Sequence, residues 1–184
     1  LGADIRQLSG SSTQLLFRVG VANSFNGSGS VRAMAGAYDL VCTNGMVIGE
    51  AERKAARHTS GYTPEIFAGF IEAEFSKYLE RVRVWQRWAR AEISANQAEA
   101  VLTEAGMSGR RVAGIMAQME TEAVSRGHTV WALYSALTFY SSHNSERFGV
   151  RNSGNVDNVA VTLDQREREV SRVIDAPAWQ RLAA

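Results

Sequence analysis

The sequence predicts an α+β fold: a small antiparallel β-sheet of hairpins, then a mostly helical C-terminal two-thirds with one long helix. Three observations predict it. Short β-like apolar runs separated by glycine-bearing turns fill the stretch before Tyr62. Apolar residues at helical spacing dominate after Thr63. Strands come first and helices later, without the alternation that builds a parallel sheet. The 184 residues are expected to form a single domain, β-rich over 13–50 and helical over 63–184. A chain of this length buries about 70% of its unfolded surface, enough for a true core.

The elements follow in order. Leu15 to Ala22 reads as a strand with Phe17, Val19 and Val21 on one face and Arg18 on the other. Asn26-Gly27 turns the chain, and Val31 to Ala37 returns it. Thr43-Asn44-Gly45 marks a second hairpin between Tyr38–Cys42 and Met46–Ile48. Thr63-Pro64-Glu65 then opens the long helix with a cap, a first-turn proline and an acid at the positive end. Phe67, Ile71, Phe75, Tyr78, Val82 and Trp85 recur on one side of it. The capping box Ser94-Ala95-Asn96-Gln97 predicts that this helix breaks at Ile93-Ser94. A short helix over 95–104 should stop before Gly106, and Ser108 should cap the next. Thr129 to Ser141 is apolar nearly all round, which predicts a buried central helix. Trp131, Leu133, Tyr134 and Leu137 are expected to pack on Phe67, Ile71, Phe75 and Tyr78. A polar loop follows over 142–160, then a capping box at 162–165 and a helix rich in arginine and glutamate.

Composition narrows function without naming it. Twenty basic and nineteen acidic side chains leave a net charge of +1, so only a local patch could serve a polyanion. No apolar run approaches the ~20 residues of a bilayer span. No membrane association is expected, and the location expected is cytoplasmic: the host cell's cytoplasm if the chain is phage-encoded. The single cysteine, Cys42, rules out an internal disulfide. The chain does not begin with Met, which suggests a trimmed or excised domain.

The usual chemical sites are missing from the sequence. His128 and His143 bracket a predicted helix that would hold them about 22 Å apart, too far to share a metal. No zinc-protease or phosphate-loop motif occurs. Cys42 with His58 could in principle form a nucleophile and base, but LVC before a turn reads better as core. No catalytic residue, metal or cofactor is expected, and the protein is read as non-enzymatic.

The cations say more. Arg53, Lys54, Arg57 and His58 form the densest short basic cluster. Arg18 and Arg32 fall on the exposed sheet face, and Lys77 and Arg81 lie along the long helix. Trp88 sits off the apolar stripe among cations, where it could stack on a base. Together these nine residues are the expected nucleic-acid-binding set. Val84 and Trp88 outside the stripe also lead to an expected homo-oligomer.

Three blocks carry a family resemblance: AGAYDLVCTNGMVIG with ARHTSG, WALYSALTFYSSHN, and NVAVTLDQREREVSRVIDAPAW. Their order and spacing resemble the phage/plasmid-like protein family catalogued as domain of unknown function number 932. Over roughly 15–180 the chain is similar to that family, though without the leading segment its members usually carry. The resemblance implies residence on phages or plasmids and supplies no catalytic residues. A hairpin sheet before a long helix is also similar in layout to phage single-strand annealing proteins, an analogy of fold alone. The reading is therefore a mobile-element protein that binds nucleic acid, with single-stranded DNA binding or annealing as its sharpest form. The competing readings are a structural or interaction protein of a phage (a particle component or an inhibitor of a host system) and an enzyme acting on nucleic acid.

Overall fold

The structure is a computed structural model that describes residues 2–4, 14–22, 31–39, 47–56, 65–143, 166 and 168–183. Four strands pair through their backbones: β1 (Gly2–Asp4), β2 (Gln14–Ala22), β3 (Val31–Asp39) and β4 (Val47–Ala56). They run antiparallel in the order β1-β2-β3-β4. The helices are α1 (Glu65–Trp88), α2 (Ala95–Glu104), α3 (Gly109–Arg126), α4 (Val130–Ser142) and α5 (Pro177–Ala183). A further helical stretch over 168–175 leads into α5.

The expected α+β class is corrected by where the core lies. From residue 65 onward the described chain is helical and holds no strand beyond one isolated bridge, Glu92 to Thr129. Every buried side chain described belongs to this helical part. Among the described residues the buried core is therefore all-helical, with Phe17 of β2 packed against its edge. The physical reason is in the pairing of aromatic faces. On the α1 stripe, Trp85 meets Trp131 of α4 at 6.1 Å. Trp88 meets Tyr134 of α4 and Trp179 of α5 at 5.0 and 5.3 Å. Helices cover the helix. Among the strands, the one described side chain is Phe17, whose ring lies 5.2 Å from Phe75 and 5.5 Å from Tyr78.

α1 ends at Trp88, short of the expected break at Ile93. The chain between α1 and α2 is held extended against the start of α4: Ile93 N–H donates to the His128 carbonyl at 3.0 Å and Val130 N–H to the Ala91 carbonyl at 2.9 Å. Those two bonds remove 91–93 from the helix. The capping box itself forms as expected. Ser94 accepts from the Gln97 N–H, and the Gln97 side chain accepts from the Ser94 N–H. Ser108 precedes α3 in an extended conformation but makes no side-chain cap bond. Thr129 caps α4 by accepting from Ala132 N–H at 3.2 Å. Gly106 and Gly127 close α2 and α3 with φ of 80° and 69°, a region that favours glycine over residues with a Cβ.

α4 is the central helix. Trp131, Leu133, Leu137 and Tyr140 are fully buried, and Tyr134 nearly so. Their α1 partners sit further along than expected. Ile71 and Phe75 are half-buried, and the closer cover comes from Tyr78, Trp85 and Trp88. The side chain of Phe67 lies outside the described residues, as do Thr63, Pro64, Cys42 and the capping box at 162–165.

Candidate anion-binding surface and adjoining cleft

The C-terminal half of α1 sorts its side chains by face. Tyr78, Val82, Trp85 and Trp88 are buried at spacings of one helical turn. Arg83, Arg87 and Arg90 are all exposed, Arg90 in the turn just beyond the helix. Positions 83, 87 and 90 are four and three residues apart, so the helical period brings them to one side. No carboxylate pairs with any of the three among the described residues. Arg87 in the last turn also faces the negative end of the helix dipole. That favours one arginine, not a row of three.

The cations expected on α1 behave differently. Glu74 is 2% exposed and accepts from Lys77 Nζ at 2.9 Å. Arg81 Nη2 approaches its other oxygen at 3.2 Å, a charge contact without hydrogen-bond geometry. Lys77 and Arg81 are thus largely committed to one buried carboxylate. Spacings of three and seven residues allow this, but whether position 74 is buried depends on the tertiary fold.

Trp88 is the clear correction to the expected set. It is 6% exposed and its ring is enclosed by Tyr134 and Trp179, so it offers no free face to a base. The signal that could have found this was Trp179, an aromatic in a C-terminal segment with no other evident partner. The case for a homo-oligomer loses its basis for the same reason, since Trp88 is covered from within the chain and Val84 packs against the same core. Val124 is the exposed large hydrophobic residue among those described.

Arg18, Arg32, Arg53 and Lys54 lie in the paired strands. The register sets Arg18 against Gly36, Arg32 against Ala55, Met34 against Arg53 and Ala33 against Lys54. Strand alternation therefore places positions 18, 32 and 53 on one face of the ladder and 54 on the other. Positions 53 and 54 thus alternate between faces, because β4 extends through them. Arg57 and His58 lie outside the described residues.

Beside the arginine row, a cleft of about 270 Å³ opens between α1, α4 and the C-terminal helices. Arg81, Val84, Arg87 and Trp88 line it from α1, Tyr134 from α4, and Asp175 and Gln180 from the C-terminal segment. Asp175 is exposed and, like Arg87, has no ion-pair partner among the described residues.

A second polar cluster clamps the C-terminal segment onto the bundle. Arg111 Nη1 donates to Glu169 at 2.9 Å, and the Tyr140 hydroxyl donates to the other oxygen of Glu169. Arg166 donates to the His143 carbonyl at 2.6 Å and lies over the Tyr140 ring. Burial, then the hydrogen bond and negative charge of Glu169, push the Tyr140 phenol well above its ordinary value. Burial pulls the Arg166 guanidinium down from its own. A phenol held protonated in this way is a structural donor, not a base. The raised value adds stability that is fully present below the ordinary tyrosine pKa of about 10 and fades as pH rises towards the raised one. Tyr140→Phe should cost about 1.5–3 kcal/mol at pH 7, as for a hydrogen bond to a charged group. The gap to wild type should narrow above about pH 10. Urea melts of both proteins at pH 7, 9 and 10.5 measure this; a gap that stays constant would show that the phenol is not held by Glu169.

No group of three or more metal-ligating side chains occurs among the described residues, and no described helix is long and apolar enough to cross a membrane. The family described as Domain of unknown function (DUF932) matches residues 8–173. The chain belongs to that family. The match spans β2 to β4 and α1 to α4, begins after β1, and stops just short of Asp175 and α5. No curated protein and no solved structure matches the chain.

Proposed function

We propose that this DUF932 protein is a non-enzymatic nucleic-acid-binding protein of a phage or plasmid, and that it holds the phosphate backbone along Arg83, Arg87 and Arg90. The observation that carries the reading is the row itself: three exposed arginines on one side of a helix end, with no carboxylate partner among the described residues. Arginine presents a rigid fork of donors that fits phosphate oxygens, and unpaired surface arginines leave that fork free. Arg18, Arg32 and Arg53, which share one face of the ladder by register, are the second group proposed to reach the strand. Backbone contacts of this kind are indifferent to sequence.

The test is a salt titration of binding to a labelled single-stranded oligonucleotide. Removing one arginine–phosphate pair flattens the slope of log affinity against log salt by roughly 0.7. Arg83→Gln, Arg87→Gln and Arg90→Gln combined should flatten it by about two while the thermal melt stays put. Lys77→Gln should change the slope much less, since Glu74 already occupies that cation. Absence of binding by the wild type at ~50 mM salt, where phosphate contacts are strongest, would remove this reading and leave a structural or inhibitory phage protein.

A further inference from the structure

We infer that the cleft beside the arginine row is a base pocket that takes one guanine from the bound strand; this rests on the nucleic-acid reading above. Three features of the cleft lead there. Its volume of about 270 Å³ lies just under the range for drug-sized ligands, so it suits one nucleotide and no more. Its lining carries opposite charges that do not pair with each other, Arg87 on α1 and Asp175 at the end of the 168–175 stretch, while Arg81, also in the lining, is engaged by Glu74. A ligand that satisfies both must carry an anionic group at one end and N–H donors at the other. A nucleotide does so, with phosphate at Arg87 and base edge at Asp175.

The acceptors on the C-terminal segment select the base. An Asp carboxylate is acceptor-only, with two oxygens side by side. Gln180 uses its amide nitrogen on the Ile174 carbonyl at 2.8 Å, which leaves its amide oxygen as a further acceptor. Guanine presents two adjacent donors on its Watson–Crick edge, N1–H and the N2 amino group, and reading a flipped base by that edge is a familiar mode. Thymine presents one N–H between two carbonyl oxygens that would face the carboxylate unfavourably. The body of the base would lie against Val84, Trp88 and Tyr134, which line the cleft. Arg87 thus has two roles in one strand: it continues the phosphate row and marks the entrance to the pocket.

The experiment compares a labelled fifteen-residue thymidine strand with the same strand carrying one central guanine. A bidentate contact discriminates between bases by 1–3 kcal/mol, so the guanine strand should bind about five- to 150-fold tighter. Asp175→Asn and Ala183→Leu, the latter filling the cleft from α5, should each erase that ratio while the plain strand still binds. Equal affinity of the two strands for the wild type overturns the base pocket and leaves the phosphate row standing. If neither strand binds, the nucleic-acid reading falls, and calorimetry with guanosine 5′-monophosphate and ribose 5-phosphate decides the pocket alone. Heat with the nucleotide only, abolished in Asp175→Asn, keeps a free-nucleotide site; no difference between the two probes overturns it.

Discussion

Arg126→Met is expected to destabilise the protein by about 3–5 kcal/mol, because it strands a buried carboxylate. Glu122 and Arg126 stand one turn apart on α3, 6% and 4% exposed. Their charges approach at 3.3 Å without hydrogen-bond geometry, so the pair is held by other bonds. Gln118 donates to Glu122 at 2.9 Å, and Arg126 Nη1 reaches across to the Ser135 hydroxyl of α4 at 2.8 Å. The arginine therefore does two things: it neutralises Glu122 and it ties α3 to the central helix. Methionine keeps much of the volume and supplies neither. Adding Glu122→Met should recover part of the stability, since the stranded charge is gone. Recovery should be incomplete, because Gln118 and Ser135 each lose a partner inside the core. Denaturant melts of the two single variants and the double give the coupling directly, expected at about 0.5–3 kcal/mol for residues in one network. Strict additivity would mean that the two side chains do not act as a pair.

Local signals were legible in the sequence, and distant ones were not. The Ser94–Gln97 box and the stop of the short helix before Gly106 are formed by residues a few positions apart, and both are found where the sequence placed them. The central helix was legible because Thr129 to Ser141 has almost no polar face. The class was misjudged because hairpin signals show where backbones can pair, not whether the paired strands supply the core, and every buried side chain described lies in the helical part. The early end of α1 was missed for a similar reason, since residues 91–93 leave the helix to pair with residues 128–130, which are distant in sequence.

The candidate site shows the same division. The sequence marked the α1 cations but could not rank them. Glu74 looks on paper like Glu72, an acid on a charged helix, and only its burial turns it into the partner of Lys77 and Arg81. With those two taken, Arg83, Arg87 and Arg90 are left, exposed and without a carboxylate partner among the described residues. Trp88 sits off the apolar stripe because part of its cover comes from Trp179 of α5, 91 residues later in the chain.

Trp179→Ala should cost about 3–5 kcal/mol, the toll of emptying a buried tryptophan site. Trp179 is fully buried on a seven-residue helix that could not persist alone. Its ring packs on Trp88 at 5.3 Å and Tyr134 at 6.4 Å, so it joins α5 to α1 and α4 at once. Few other bonds hold α5 in place: Gln180 donates to the Ile174 carbonyl, and Arg181 reaches Glu104 at 3.4 Å on the exposed surface. Removal of the ring should therefore release α5 before the rest of the protein unfolds. Trp88 would gain solvent, and the wall of the cleft that carries Gln180 and Ala183 would go with α5. The indole N–H of Trp179 is buried and has no hydrogen-bond partner among the described residues. Trp179→Phe removes it and keeps an aromatic ring, and should cost under about 1.5 kcal/mol beyond the lost volume. The contrast between the two variants separates packing from polarity. Hydrogen exchange adds the local readout: in Trp179→Ala the amides of 178–183 should lose protection first, ahead of α4. Uniform deprotection across both helices would show instead that α5 unfolds only with the whole body, and that its docking is part of the core rather than a latch upon it.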